Sequence, residues 1–171
     1  DGRIYHGSSG IAGEIGHTTI DFNGPRCECG NCGCLELYCS STALVRRAQE
    51  VVEAGEEETV LSKANPLTLK AIFEAVGEGD KVAIRLVKEA ATYMGYGVVN
   101  LVNTFNPDMV ILGDEMAEVG EIWVDTVKEV AFPRLLPEVA SRVRIQGASL
   151  EGDPFLIGTG TIAIEYLFRN P

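Results

Sequence analysis

The chain has 171 residues, of which 46% are hydrophobic, 23% charged and 7% aromatic, as in ordinary globular domains that build their own core. Its net charge of −11 argues against direct nucleic-acid contact, because such binding relies mainly on cations that neutralise phosphates. No apolar run approaches the length of a membrane span, and the start DGRIYHG does not resemble a secretory leader.

The first part of the chain combines a glycine-rich loop with a cysteine cluster. Residues 6–17, HGSSGIAGEIGH, have the composition of a flexible loop. Residues 18–22 alternate weakly and predict a short strand, closed by a turn at residues 23–25. Four of the five cysteines then fall within eight residues: Cys27, Cys29, Cys32 and Cys34.

Helical periodicity follows the cysteines. A hydroxyl side chain at Ser41 or Thr42 can cap a helix that ends at Gly55. A second helix is predicted over residues 65–76, with an Asn-Pro pair providing its cap and first turn. These two helices are separated by an acidic stretch, which we expect to be solvated.

A long helix is predicted to begin near Asp80 and to continue beyond residue 100. Gly95 and Gly97 lie inside it, and each costs about 1 kcal/mol relative to alanine in a helix. We therefore expect another backbone to approach the helix closely at these positions.

The remaining elements alternate between strand and helix. Residues 109–113 form a short apolar run that is typical of a strand buried in a sheet. A helix over residues 118–135, an alternating strand over 143–148 and a helix over 157–168 follow. Such alternation indicates an α/β fold.

The cysteine cluster has the composition of a structural zinc site. Zinc takes four ligands in a tetrahedron, and His17 with three of the clustered cysteines provides them; a site made of all four cysteines remains equally open on spacing. Disulfides are disfavoured, because the chain beyond Cys39 has no cysteine, which fits a reducing, cytosolic setting. Cys29 and Cys32 match a redox pair in spacing but lack the flanking strand and helix.

The segment GEIGHTTIDFNGPRCECGNCGCLELY resembles the central motif of the ROK family of sugar-responsive repressors and bacterial sugar kinases. In that family the histidine of Glu-x-Gly-His and three cysteines of Cys-x-Cys-Gly-x-x-Gly-Cys-x-Glu bind one zinc. The resemblance implies His17, Cys27, Cys29 and Cys34 as ligands, and Cys32 as a bystander. It also implies the C-terminal lobe of an actin-like ATPase (ribonuclease H-like) fold with an inserted zinc loop, over residues 1–171.

The same resemblance gives Glu14, His17 and Glu36 a role in binding sugar. An ionised carboxylate accepts hydrogen bonds from adjacent sugar hydroxyls, each contributing about 1.5–3 kcal/mol. The alternative is that both glutamates are solvated surface acids in an acidic chain. Four protein ligands leave no open position on the zinc, so its implied role is structural.

Three hypotheses about function remain after these observations. The family's kinases carry an Asp-x-Gly-x-Thr phosphate loop and a catalytic aspartate in Asn-Asp-x-Asn, and neither motif occurs in this sequence. Gly113 is followed by Asp114 and Glu115, whose carboxylates would repel a nucleotide. The residues of the motif resemble those of xylose-type repressors more than those of the kinases. We therefore expect the effector-binding lobe of a repressor, which contacts DNA only through a domain elsewhere in the parent protein.

The alternative is half of an ATP-dependent hexose kinase of the glucokinase type, in which case ATP would be a second ligand. A third hypothesis is a zinc-stabilised interaction module, because long apolar helices with internal glycines suit dimerisation. A homo-oligomer is expected in each case, and the identity of the sugar is not predicted.

Overall fold

The computed structural model describes residues 4–113, 115–150 and 154–169. Within these residues nine regular elements follow one another along the chain, besides several short 3-10 turns. They are α1 (Glu36–Cys39), α2 (Ser41–Ala54), α3 (Leu69–Gly77), α4 (Lys81–Phe105), β1 (Met109–Leu112), α5 (Glu121–Ala131), α6 (Pro137–Ala140), β2 (Arg144–Gly147) and α7 (Pro154–Arg169). The predicted α/β alternation is confirmed.

The two strands pair in parallel, with Met109 opposite Arg144 and Leu112 opposite Gly147. Helix α5 lies between them in the chain, as a crossover connection between parallel strands requires. The prediction of a fully buried run at β1 is wrong in part, because Ile111 is 58% exposed whereas Leu112 is buried. In the described residues β1 has one neighbouring strand, so part of its surface is left uncovered.

Helix α4 forms the centre of the core and packs against α1, α2, α3 and α5. The predicted close approach of another backbone is confirmed at Gly95 and is wrong at Gly97, where the neighbour is a side chain. A Cβ atom at Gly95 would lie 2.6 Å from Cβ of Val130 and 3.2 Å from the Val127 carbonyl oxygen. A Cβ atom at Gly97 would collide with the Leu35 side chain.

Two helix starts differ from the prediction because neighbouring hydroxyls cap them. Ser40, and not Ser41 or Thr42, caps α2, since its side chain accepts a hydrogen bond from the amide three residues later. Thr68 caps α3 in the same way, so the helix begins at Leu69 and not at the Asn-Pro pair. The predicted end at Gly55 is confirmed by its left-handed backbone (φ 64°).

The other differences lie at turns. The predicted helix over residues 118–135 is shorter, because Gly120 has a φ of 89° and separates α5 from a preceding 3-10 turn. The predicted strand over residues 18–22 is a single bridge between Thr19 and Cys34. Helix α7 begins before residue 157, and several of its apolar side chains, such as Ile162 and Phe168, are exposed. Among the described residues, no helix combines the length and hydrophobicity needed to cross a bilayer.

Asp80 caps α4 and holds the preceding turn at the same time. Its carboxylate accepts hydrogen bonds from the Ala83 amide (2.9 Å), the Val60 amide (2.9 Å) and the Thr59 hydroxyl (3.0 Å). Burial would raise the pKa of the Asp80 carboxyl, but the amide hydrogen bonds outweigh it and hold the pKa below its usual value. The prediction that α4 begins near Asp80 is confirmed.

We expect Asp80→Ala to lower the free energy of unfolding by about 1–3 kcal/mol near neutral pH, measured by urea denaturation. Because the folded-state pKa is depressed, the charged carboxylate stabilises the fold above its unfolded pKa of about 3.9. That contribution is lost as the pH falls through the folded-state pKa, so the two proteins should converge in acid. A difference that stays constant from pH 7 to pH 2 would contradict this assignment, and Asp80→Asn, which keeps an acceptor, serves as the control.

Candidate functional site

The cysteine loop is folded back on itself by backbone hydrogen bonds. The Leu35 amide donates to the Thr18 carbonyl (2.9 Å), and the Cys27 amide donates to the Asn31 carbonyl (2.8 Å). Gly33 has a φ of 62°, and a Cβ atom there would collide with the Asp21 carbonyl, so this return requires glycine. The result is that the 3-10 turn Ile15–His17 lies beside the cysteines.

Four ligand-type side chains converge in this loop. One ligand atom from each lies within 4.8 Å of all the others, and the four residues are His17, Cys27, Cys29 and Cys34. Cys27 and Cys34 are buried, His17 is half-buried and Cys29 is exposed. Cys32 is exposed and lies outside this group.

Two of the distances between these atoms fit a tetrahedral metal. The Cys29 and Cys34 Sγ atoms are 3.6 Å apart, and Cys27 Sγ is 3.7 Å from His17 Nδ1. Ligands of a tetrahedral zinc are about 3.5–3.8 Å apart, given the usual Zn–S and Zn–N bond lengths. None of the five cysteines is in a disulfide, and Cys39 is a buried core thiol that donates to the Leu35 carbonyl.

The three clustered thiols differ in acidity. The backbone amide of Cys29 lowers the pKa of the Cys27 thiol, but the hydrogen bond to Glu36 and burial together raise it to about 12. Burial also raises the pKa of the Cys34 thiol. The Asn31 amide lowers the pKa of the Cys29 thiol, so Cys29 loses its proton first. Thiol ligands bind metals as thiolates, and metal binding by this group therefore releases protons.

Glu36 lies against the same cluster. It is the first residue of α1, and its Oε1 atom is 3.1 Å from His17 Nδ1 and 3.0 Å from Cys27 Sγ. Glu36 and His17 each keep almost two-fifths of their side-chain surface exposed, so a ligand can reach them. Of the residues predicted to bind sugar, the structure thus brings these two together.

Glu14 is placed differently from Glu36. It precedes the 3-10 turn, its backbone carbonyl accepts the His17 amide (3.2 Å), and it is exposed. In the described part of the chain its carboxylate has no hydrogen bond or ion pair, and no contact joins it to Glu36. The prediction that Glu14 binds sugar therefore rests only on its position in the loop.

Two cavities open beside Glu36. One, of about 340 Å³, is a mostly apolar cleft between the loop and β1, with Ile15, Leu35 and Trp123 among its walls. The other, of about 470 Å³, is polar and includes Arg26 and Arg46. Glu36 is the carboxylate that both cavities share, so a polar ligand on either side can reach it.

Several supporting residues were not predicted from the sequence. The Asn31 side chain donates to the Thr19 hydroxyl (2.9 Å), which ties the cysteine loop to the segment after His17. The Tyr38 hydroxyl donates to the Asp21 carboxylate (3.2 Å), linking α1 to the same loop. Their spacing carries no recognisable signal, because each contact joins residues that are distant in the chain.

Comparison with known proteins identifies the relatives of this arrangement. The sequence pattern of the ROK family matches residues 1–165. The chain belongs to the ROK family. It is 35% identical to the xylose repressor of Caldicellulosiruptor bescii, over 100% of this chain and 43% of that protein. It is 37% identical to the glucokinase of Halalkalibacterium halodurans, over 94% of this chain and 50% of that protein.

A solved structure gives the same relation in three dimensions. The ROK family glucokinase from Streptomyces griseus, in complex with glucose and AMPPNP, matches with a TM-score of 0.77 and 30% identity, covering 86% of this chain and 50% of that one. The chain therefore spans about half the length of its ROK relatives. The ROK resemblance inferred from the histidine and cysteine motif is confirmed.

ROK membership supports a sugar-related role and does not separate repressors from kinases, since both occur among the relatives. The α/β architecture agrees with the fold of the solved ROK neighbours. Asp114, whose carboxylate is predicted to repel a nucleotide, lies outside the described residues.

Proposed function

We propose that this chain is the sugar-binding, zinc-containing C-terminal lobe of a ROK-type transcriptional repressor. One observation carries the proposal: a four-membered histidine and cysteine cluster has the carboxylate of Glu36 directly against its histidine. In this proposal one ring nitrogen of His17 binds the metal and the other is left for a sugar hydroxyl, whereas Glu36 lines both cavities.

The metal assignment is zinc, held by His17, Cys27, Cys29 and Cys34. Three thiols and one imidazole suit zinc, and the separations of two ligand pairs, 3.7 Å and 3.6 Å, are those expected at a tetrahedral zinc. When bound, the metal supplies a structural cross-link and no open coordination position for chemistry. It would stiffen a loop that contains few buried apolar side chains.

The ligand assignment is a sugar bound by Glu14, His17 and Glu36. Carboxylates accept hydrogen bonds from vicinal hydroxyls, and the half-exposed Glu36 stands between an apolar cleft and a polar cavity, which suits the two faces of a sugar ring. The complex of the related glucokinase with glucose supports a sugar as the ligand class.

The parent protein, in this proposal, carries the other lobe of the actin-like fold and a DNA-binding domain besides the present lobe. Direct DNA contact by residues 1–171 is not expected, because the net charge is −11. The coverage of 43% of the related xylose repressor supports a longer parent.

A sugar kinase remains the second candidate function, and the 37% identity to a glucokinase favours it. In that case ATP would bind together with the sugar. The general base that deprotonates the sugar hydroxyl would come from the other lobe, since the Asn-Asp-x-Asn motif does not occur in this sequence.

The two functions predict opposite results for the full-length parent. If it is a repressor, sugar should release it from its operator, measured by fluorescence anisotropy of labelled DNA, and sugar should not stimulate ATP consumption above background. A phosphosugar product identified by mass spectrometry, with turnover that rises with sugar concentration, would overturn the repressor assignment in favour of the kinase.

A further inference from the structure

Helix α1, which carries Glu36, is attached to α4 at two points. Leu35, the residue before Glu36, packs against Gly97. Tyr38, two residues after Glu36, stacks on Tyr93 with ring centroids 4.4 Å apart and an interplanar angle of 25°. The direction of Glu36 is therefore set by a helix that contributes no side chain to the metal cluster.

The Gly97 contact leaves no room for a side chain. Gly97 is buried in α4, and a Cβ atom at this position would collide with the Leu35 side chain. Leu35 is 1% exposed and lines the apolar cleft beside Glu36, so a methyl group at position 97 would push its side chain toward that cleft. Any part of the displacement that the Leu35 side chain does not absorb is passed to its chain neighbours, which are Cys34 of the cluster and Glu36.

We propose that Gly97 is a positioning residue for the ligand site: its missing side chain lets Leu35 seat against α4 and so holds the Glu36 carboxylate beside His17. This deepens the proposed function and rests on it, because Glu36 is the proposed acceptor for sugar hydroxyls. A shift of Leu35 that carries Glu36 with it would weaken hydrogen bonds to the carboxylate, since such bonds weaken steeply as distance and angle depart from the optimum.

The chain offers a matched control two residues away. Gly95 is also buried in α4, but it faces Val130 of α5, on the side away from the loop. A Cβ atom at Gly95 would also be too close to its neighbour. Gly95→Ala thus introduces the same substitution into the same helix, but the new methyl group contacts α5 and not Leu35 or α1.

The test compares Gly97→Ala, Gly95→Ala and the double variant Gly97→Ala/Leu35→Ala in the full-length protein. Titration calorimetry with a panel of pentoses, hexoses and N-acetylhexosamines measures the affinity for the preferred sugar. Hydrogen–deuterium exchange measures the protection of residues 34–39 and 121–131 without any need for a ligand. Leu35→Ala alone provides the reference for the double variant.

We expect Gly97→Ala to weaken sugar binding about tenfold, the effect of one impaired charged hydrogen bond, and to speed exchange at residues 34–39. Gly95→Ala should speed exchange at residues 121–131 and leave the sugar affinity within about twofold of that of the unsubstituted protein. The double variant should bind as well as Leu35→Ala, because the shortened side chain makes room for the new methyl group.

Three results would overturn the proposal: parental affinity in Gly97→Ala, an equal loss of affinity in Gly95→Ala, or no recovery in the double variant. If Gly97→Ala does not fold, the double variant carries the test, and its failure to fold also counts against the proposal. If the parent binds none of the sugars, the proposed function fails by itself, and exchange at residues 34–39 still decides whether Gly97 positions α1.

Discussion

Replacing Cys34 with serine should release the metal and destabilise the loop around it. Cys34 is fully buried, lies 3.6 Å from Cys29 and anchors the bridge to Thr19. Structural zinc binding supplies about 10–16 kcal/mol in small peptides, which rivals the total stability of an ordinary domain, about 5–15 kcal/mol. Removal of one ligand therefore affects folding as much as metal content.

We expect about one zinc per chain in the unsubstituted protein and much less in Cys34→Ser, measured by elemental mass spectrometry of the purified protein. A loss of even about 4 kcal/mol would lower the melting temperature by about 8–16 °C at this chain length. A chelator added to the parent should reproduce most of this shift.

Cys32→Ser is the matched control, because Cys32 lies in the same loop but outside the group of converging ligand atoms. It should keep the metal and the melting temperature of the parent. If Cys32→Ser loses the metal whereas His17→Ala retains it, the site is made of four cysteines and the proposed ligand set is wrong.

The second large effect is expected at Glu36. Its carboxylate is a charged acceptor, and a hydrogen bond to a charged group contributes about 1.5–3 kcal/mol, so Glu36→Ala should weaken sugar binding about ten- to a hundredfold. Metal content should stay at the parental value, because Glu36 is not a proposed ligand. Titration calorimetry of the full-length protein provides the measurement.

Glu14→Ala should have a similar effect if Glu14 also binds sugar hydroxyls. Glu53 is a suitable control, since it is exposed and has no ion pair among the described residues. Glu57 is exposed too but is less suitable, because it forms an ion pair with Arg85. Parental affinity in both Glu36→Ala and Glu14→Ala would show that the two glutamates are ordinary surface acids. A loss in Glu36→Ala alone would leave Glu14 outside the site.

The elements that could be predicted are those with strong local signals. The long periodic helix α4, the apolar strand β1 and the helix end at Gly55 follow from patterns within a few residues. The starts of α2 and α3 were predicted wrongly, because Ser40, Ser41 and Thr42 can each cap α2, and the Asn-Pro pair competes with Thr68 as the start of α3. The exposure of Ile111 could not be predicted either, because it depends on how many strands flank β1.

The sequence by itself determined the chemistry of the site: four thiols and an imidazole in one short loop, two nearby glutamates, and membership of a sugar-related family. Spacing left a four-cysteine site open and the family resemblance implied the set with His17, but only the tertiary structure shows which groups meet. It placed Cys27, Cys29 and Cys34 beside His17 and left Cys32 outside, and it set Glu36 against His17 while Glu14 stayed exposed. It also seated Leu35 against Gly97. The physical reason is that donor types and spacing are local properties of the chain, whereas the direction of each side chain depends on backbone hydrogen bonds and packing between residues far apart in it.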